Sequence, residues 1–279
     1  MRDAAGRGKP KCEVRDAARR ETRKAGAFGR FRITRVQVTM RLDKYLSDMG
    51  VGTRNELKKD IRKGGAVVDG QVVKDPGHSV SPSSHVVFKG HEVVYEEFSY
   101  YMLNKPAGII SASEDDSEDT VVDLIPEPKR RDLFPVGRLD RDTEGLLLIT
   151  NDGALAHRLL SPKHHVDKTY YVEVSGVLNE SDIELFGQGL VLTDGLECLP
   201  ADLKILSVSD DEYASAAEIT IREGKFHQVK RMFSSVGAEV TYLKRLSMGS
   251  VTLDPGLEPG ECRRLTAGEL EALEIDQKP

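Results

Sequence analysis

The sequence predicts an α+β chain in two parts, a small basic N-terminal unit and a larger mixed α/β domain. Residues 41–73 pass from helical spacing to a β-hairpin pattern. From Tyr100 to about Glu274, strand-like and helical segments alternate, with no 20–50-residue repeat and no heptad run. No apolar run reaches the roughly 18 residues that a membrane helix requires, so a soluble, cytoplasmic protein is expected.

Residues 1–39 are rich in Arg, Ala and Gly and show no sustained apolar period. They read as a disordered basic leader, either a passive tail ahead of a true start at Met40 or an arm for nucleic acid. The ordered unit is expected over 40–90. Leu42, Tyr45 and Leu46 fall at i, i+3 and i+4, and Gly50 and Gly52 end that helix. Thr53 followed by Glu56 is a capping box that opens a second helix, closed by Gly64-Gly65. Ala66-Val67-Val68-Asp69-Gly70-Gln71-Val72-Val73 places two β-branched runs around Asp-Gly, a hairpin signal. Ser81-Pro82-Ser83-Ser84 is a turn before a further strand at Val86-Val87-Phe88. The acidic stretch 91–99 reads as a linker, and 100–274 as the larger domain.

The net charge of −6 conceals an asymmetry. Residues 1–39 hold twelve Lys or Arg against four Asp or Glu, a net +8, which leaves −14 on the rest. Attraction for nucleic acid therefore cannot come from the average charge of the body and needs local basic stripes. Arg41, Lys44, Arg54, Lys58, Lys59, Arg62 and Lys63 form such a cluster. A compact basic helix pair suits phosphate contacts, although a solvated surface would look the same in sequence. The three cysteines, Cys12, Cys198 and Cys262, lack metal or redox spacing and read as free thiols.

Three segments of the larger part could carry chemistry. Tyr101-Met102-Leu103-Asn104-Lys105-Pro106 is an apolar strand that ends beside a Pro/Gly turn, with Lys105 at its exit. Gly137-Arg138-Leu139-Asp140-Arg141-Asp142-Thr143-Glu144-Gly145 is a charged loop delivered onto the apolar run Leu146-Leu147-Leu148-Ile149. Rigid strands commonly mount catalytic groups in this way. Arg138 and Arg141 flank Asp140, and a cationic neighbour favours a carboxylate. Asp140 and Asp142 as a glycosidase-like pair is a weaker reading, because such pairs come from different elements. The third segment is a strand ending at Arg222-Glu223-Gly224, followed by a helix with Val229, Met232, Phe233 and Val236 on one face and Gly237 as its cap. His227, Gln228, Lys230 and Arg231 lie near its N-terminus, where anions or a carboxylate are favoured. His164-His165 does not suit a metal, since adjacent side chains diverge, and no nucleotide-binding Gly loop is present.

Taken together, these residues resemble the pseudouridine synthase family. Gly137-Arg138-Leu139-Asp140 with Thr143 and Gly145-Leu146-Leu147 is similar to its signature. Lys105-Pro106, Lys168-Thr169-Tyr170-Tyr171-Val172 and Gly224-Lys225-Phe226-His227-Gln228-Val229-Lys230-Arg231-Met232 follow in the family's order. Arg41–Val73 resembles the alpha-L RNA-binding motif. The resemblance covers about residues 40–274. It implies an α+β protein with that small RNA-binding module and a catalytic domain on a mainly antiparallel sheet.

The resemblance also implies roles. Asp140 is the essential carboxylate. Tyr170 stacks on the target base and is placed to assist proton transfer. Lys230 pairs with the aspartate, at a position that is Arg in many relatives. Arg138 helps fill the gap left by an extruded nucleotide, and Leu246 lines an apolar base pocket. Lys105, Arg41, Lys44, Arg54, Lys58, Arg62, His227, Gln228 and Arg231 are the expected RNA contacts. No metal or cofactor is implied, because isomerising uridine oxidises nothing and imports no group. A base inside folded RNA must be flipped out first. Within the resemblance, the run Ser161-Pro162-Lys163-His164-His165 before Lys168 favours a subgroup that implies small-subunit (16S) ribosomal RNA as substrate, naked or in an assembling subunit. No membrane contact is expected, and nothing in the sequence suggests an obligate oligomer, so a monomer is expected. Alternatives are a large-subunit synthase of the same family, a non-catalytic ribosome-assembly factor that binds RNA, or a nucleoside glycosidase.

Overall fold

The computed structural model describes residues 39–126, 132–209 and 213–275, in two compact units. The leader expected over 1–39 lies, apart from Thr39, outside the described residues.

Among the described residues, the first unit comprises 39–99 together with Pro126, Asp132 and Leu133. Its elements are β1 (Met40–Arg41), α1 (Leu42–Asp48), α2 (Arg54–Arg62), β2 (Ala66–Val68), β3 (Gln71–Val73), β4 (Ser79–Val80), β5 (Val86–Phe88) and β6 (His91–Val93). Thr53 caps α2 as its spacing predicts: its Oγ1 accepts from the Glu56 amide at 3.4 Å, and Glu56 Oε2 accepts from the Thr53 amide at 3.0 Å. Asp69 and Gly70 take φ of 49° and 81°, the left-handed pair that a two-residue hairpin between β2 and β3 needs. Leu42, Tyr45, Leu46, Leu57 and Ile61 bury the inner faces of both helices against Ala66, Val86 and Phe88. The linker expected over 91–99 needs correction, because His91–Val93 is the edge strand paired to β5. Tyr45 donates to the Val93 carbonyl at 2.8 Å, and its ring lies 5.2 Å from that of Tyr95. The acidic composition of this stretch hid an edge strand whose outer side chains face water.

The second unit comprises residues 100–125 and 134–275 among those described. It contains β7 (Tyr100–Lys105), β8 (Phe134–Pro135), β9 (Glu144–Thr150), α3 (Gly153–Leu160), β10 (Lys168–Ser175), α4 (Glu180–Gln188), β11 (Asp202–Val208), β12 (Ala214–Ile221), α5 (Gln228–Ser235), β13 (Glu239–Met248), β14 (Val251–Thr252), β15 (Cys262–Arg264) and α6 (Ala267–Ile275). The sheet runs β11-β12-β10-β13-β9-β7-β15, with β14 on β13 and β8 on β9. Every pairing is antiparallel except β13 with β9, which is parallel. The sheet is thus mainly antiparallel, as expected. β9 is buried from Gly145 to Thr150, which suits its unbroken apolar run. Met102, Leu146, Leu148, Leu155, Leu159 and Met248 anchor one core cluster.

The parallel contact depends on one glycine. Gly145 sits opposite Arg245 with φ of +96°, and a Cβ there would collide with the Arg245 backbone. This close approach brings the loop ahead of β9 up to β13. No helix of the described residues is long and apolar enough to cross a membrane.

Candidate active site

The loop 136–143 enters β9 carrying Asp140, and it is tied down almost residue by residue. Ser111, itself buried, donates to the Leu139 carbonyl at 2.8 Å and accepts from the Leu139 amide at 3.1 Å. The Thr143 amide donates to the Asp140 carbonyl at 3.1 Å, and the Gly108 amide to the Arg141 carbonyl at 2.7 Å. Outside the loop, Arg141 donates to the Gly108 carbonyl at 3.1 Å and pairs with Glu118 at 3.0 Å. A carboxylate on such a loop is preorganised, so little reorganisation is left for the reaction.

Lys105 completes the clamp, which corrects its assignment as an RNA contact. It is fully buried, and its Nζ donates to the carbonyls of Pro106 (3.0 Å), Arg141 (3.2 Å) and Thr143 (2.9 Å). Burial pushes its ammonium down to a pKa of about 8. All three donors of the ammonium are spent on backbone, so none is left for RNA.

Tyr170, His227 and Lys230, from distant sequence, converge on the loop beside its own Asp140. Asp140, Tyr170 and Lys230 line one pocket together with Arg138, Thr143 and His227. Lys230 Nζ lies 3.5 Å from Asp140 Oδ2 but 2.6 Å from Asp142 Oδ1, so it bridges both carboxylates and sits closer to the second. Its hydrogen bond holds the Asp142 carboxyl below the usual carboxylate range. His227 Nε2 approaches Asp140 Oδ1 at 3.5 Å. His227 is therefore a neighbour of the carboxylate as well as a candidate RNA contact. Tyr170 is buried in β10, opposite Ile219 on one side and Arg245 on the other.

Gln228 also needs correction, since it is buried and its amide is spent on the turn before α5. Its Nε2 donates to Glu223 Oε1 at 2.6 Å and its Oε1 accepts from the Lys225 amide at 3.0 Å. Glu223 in turn accepts from the Leu199 amide at 3.0 Å and pairs with Lys225 at 2.8 Å. This network fixes the sharp entry to α5, where His227 takes φ of 50°. Arg231 is paired with Asp194 at 2.5 Å, so it would have to exchange that partner to bind RNA. Leu246 is not the apolar wall: among the described residues that wall is Leu139, Ile221, Val229 and Leu243. A strand presents alternate residues, and Leu243 with Arg245 takes the cleft side.

A larger cleft of about 670 Å³ continues from Asp140 and Tyr170 past Gly137, Leu160 and Pro162, with Arg138 exposed on its wall. It exposes two residues that the motifs did not single out as site groups, Lys168 and Arg245, both buried. Lys168 belongs to the Lys-Thr-Tyr motif, which was a usable signal, whereas Arg245 becomes visible only once β10, β13 and β9 are paired.

In the small unit, Arg54, Lys58 and Arg62 lie at i, i+4 and i+8 of α2, a stripe that flanks the buried Leu57 and Ile61. Arg54 and Arg62 are exposed, as is Lys44 on α1. Arg41 is less available, because its guanidinium is engaged by Asp43 at 3.0 and 2.9 Å.

Comparisons with known proteins identify the family. Residues 99–235 match the family model described as RNA pseudouridylate synthase, and residues 40–86 match that of the S4 domain. An uncharacterised RNA pseudouridine synthase of Bacillus subtilis is 49% identical over 85% of this chain and 100% of its own length. A ribosomal small subunit pseudouridine synthase A of Vibrio parahaemolyticus is 42% identical over 84% of this chain and 99% of its own. A ribosomal large subunit pseudouridine synthase B of Bacillus subtilis is 39% identical over 84% and 95%. A solved pseudouridylate synthase is 37% identical and superposes with a TM-score of 0.58 over 84% of this chain and 99% of that one. With relatives this similar along nearly their full lengths, and with Asp140, Tyr170 and Lys230 gathered in one cleft, the chain belongs to the RNA pseudouridine synthase family.

Proposed function

We propose that this enzyme isomerises a uridine of small-subunit ribosomal RNA to pseudouridine, using Asp140 as its reactive carboxylate. The observation that carries the reading is the cleft itself, which presents a clamped carboxylate beside a buried tyrosine and a lysine. The reaction breaks the C1′–N1 bond, turns the base and joins C1′ to C5. Net, the hydrogen on C5 is lost and N1 gains one, so nothing is oxidised and no group is imported. A carboxylate can meet the sugar at C1′, while an aromatic ring can hold the detached base by stacking. The proposal includes cytoplasmic action as a monomer without metal or cofactor.

Ribosomal RNA as the substrate class is supported by the relatives named above, each similar over the whole of both chain parts. The small subunit is favoured by the Ser161–His165 segment, since Pro162 lies in the wall of the cleft where it can touch the substrate. The large-subunit relative, at 39% identity, supports the second reading. The test is to map pseudouridines in both ribosomal RNAs with and without the gene. Loss of a small-subunit site is the expected result. Loss confined to the large subunit would overturn the choice of subunit.

A further inference from the structure

The cleft holds two buried cations that the roles assigned above leave unused. Arg245 is 2% exposed and Lys168 is 6% exposed, yet both line the cleft with Asp140 and Tyr170. Arg245 uses Nε to donate to the Leu146 carbonyl at 2.7 Å, while its Nη2 is buried and has no hydrogen-bond partner. Lys168 gives one donor to the Val166 carbonyl at 2.9 Å, and an ammonium has three. A buried guanidinium nitrogen without a partner is costly to keep, and one lining a cleft can take an acceptor from a ligand.

The nearby carboxylates do not supply that acceptor. Asp167 is held by Arg222 at 3.0 Å, and Glu223 by Lys225 at 2.8 Å. Asp140 faces His227 and Lys230, each at 3.5 Å. The two cations also repel one another: burial and then the Arg245 charge push Lys168 down to a pKa of about 8, against a smaller opposing effect of Asp167. Two like charges kept side by side out of water call for an anionic oxygen from the substrate.

The depth of the pair identifies which oxygen. Phosphates of a bound RNA stay at the mouth of a cleft, whereas an extruded base is the part inserted furthest. Tyr170 and Arg245 are paired neighbours across β10 and β13, so a base on the tyrosine ring brings its edge to the guanidinium. We propose that Arg245 and Lys168 form an oxygen subsite for the uracil base, holding the carbonyl oxygen on which negative charge gathers as the C1′–N1 bond breaks. The electron pair of that bond leaves with the base and spreads from N1 onto O2 and O4. When C1′ joins C5, the pair is drawn back from the base to form the new bond. C5 then gives up its proton and N1 is protonated, which leaves the product neutral. Donors fixed in a dry site stabilise such transient charge far better than water does.

This inference rests on the uridine-isomerising reading but not on the choice of subunit, so the assay uses whichever ribosomal RNA fragment the wild-type protein modifies. Single-turnover rates are measured for wild type, Arg245→Gln and Arg245→Lys, on fragments with 2-thio- or 4-thiouridine at the target, or with a neutral methylphosphonate beside it. Arg245→Gln should lower the rate about 10²-fold while RNA binding stays within about threefold, and Arg245→Lys should recover part of the loss. Sulfur at the contacted position should slow wild type clearly more than Arg245→Gln. A merely structural role would slow oxygen and sulfur substrates equally, which overturns the subsite. Coupling to the methylphosphonate instead would assign the pair to a backbone phosphate and also overturn it. Lys168→Met offers the same cycle if Arg245→Gln does not fold, with the same outcomes.

Discussion

Replacing Lys105 with Met tests whether the loop that carries Asp140 is held by a buried ammonium. The fall of the Lys105 pKa from 10.5 to about 8, burial partly offset by the nearby carboxylates, corresponds to a net cost of about 3 kcal/mol for holding the charge there. Methionine removes that cost and fills similar space. It also strips a donor from the carbonyls of Pro106, Arg141 and Thr143. The Thr143 bond is fully buried, so that carbonyl loses about 1–3 kcal/mol, whereas the other two are partly open to water. The two effects nearly cancel, and global stability should change by less than about 2 kcal/mol.

Turnover should not be spared, because the Asp140 loop loses its central tie. Displacement of the order of 1 Å costs about 10²-fold in rate, so a fall of about 10- to 100-fold is expected. The assay pairs thermal unfolding with single-turnover isomerisation of an RNA fragment. The pH dependence adds an independent reading. The folded-state pKa lies below the unfolded value, so the net cost is complete below about pH 8. It fades as pH rises toward 10.5, where the unfolded chain binds more protons than the folded one. Wild type should therefore gain stability relative to Lys105→Met across that window. A folded variant with turnover within twofold of wild type would refute the clamp.

Changing Arg54, Lys58 and Arg62 together to Gln should weaken RNA binding and flatten its log–log salt dependence by roughly 0.7–0.9 for each phosphate no longer neutralised. An unchanged slope would mean that RNA is held elsewhere. Gly145→Ala places a Cβ against the Arg245 backbone at a positive φ and should destabilise the fold by more than about 3 kcal/mol, read by denaturant unfolding. Lys230→Met should let the Asp142 carboxyl titrate at a higher pH, since its hydrogen bond to Lys230 is the main cause of its lowered pKa. Carbon-13 NMR of the carboxyl would show this, and an unmoved titration would contradict the pairing.

Much of this architecture was legible in the sequence because it is local. The Thr53 capping box, the Asp69-Gly70 turn and the face of Val229, Met232 and Phe233 all declare themselves within a few residues. The loop that carries Asp140 was legible because a charged stretch between glycines leads into an unbroken apolar strand, while the choice of Asp140 within it came from the family resemblance. What the sequence did not reveal was the burial of polar and charged groups. Lys105 and Gln228 look like solvent-facing polar residues, and only the folded chain shows carbonyls and a carboxylate converging on them. The register of β13 was hidden for a different reason. It depends on irregularities between Thr169 and Tyr170 and between Glu173 and Val174, so the wall residue is Leu243 rather than Leu246. Arg245 was invisible because its meaning comes from three strands brought together from distant parts of the chain.

The central claim is that the Asp140 carboxylate performs the isomerisation. Asp140→Asn keeps the shape of the side chain and removes its charge, and RNA labelled with tritium at C5 of uridine releases tritium to water when the new bond forms. The account predicts stoichiometric release by the wild-type protein and none by Asp140→Asn, with RNA binding by the variant within severalfold of wild type. Release by the variant at even a tenth of the wild-type rate would contradict it.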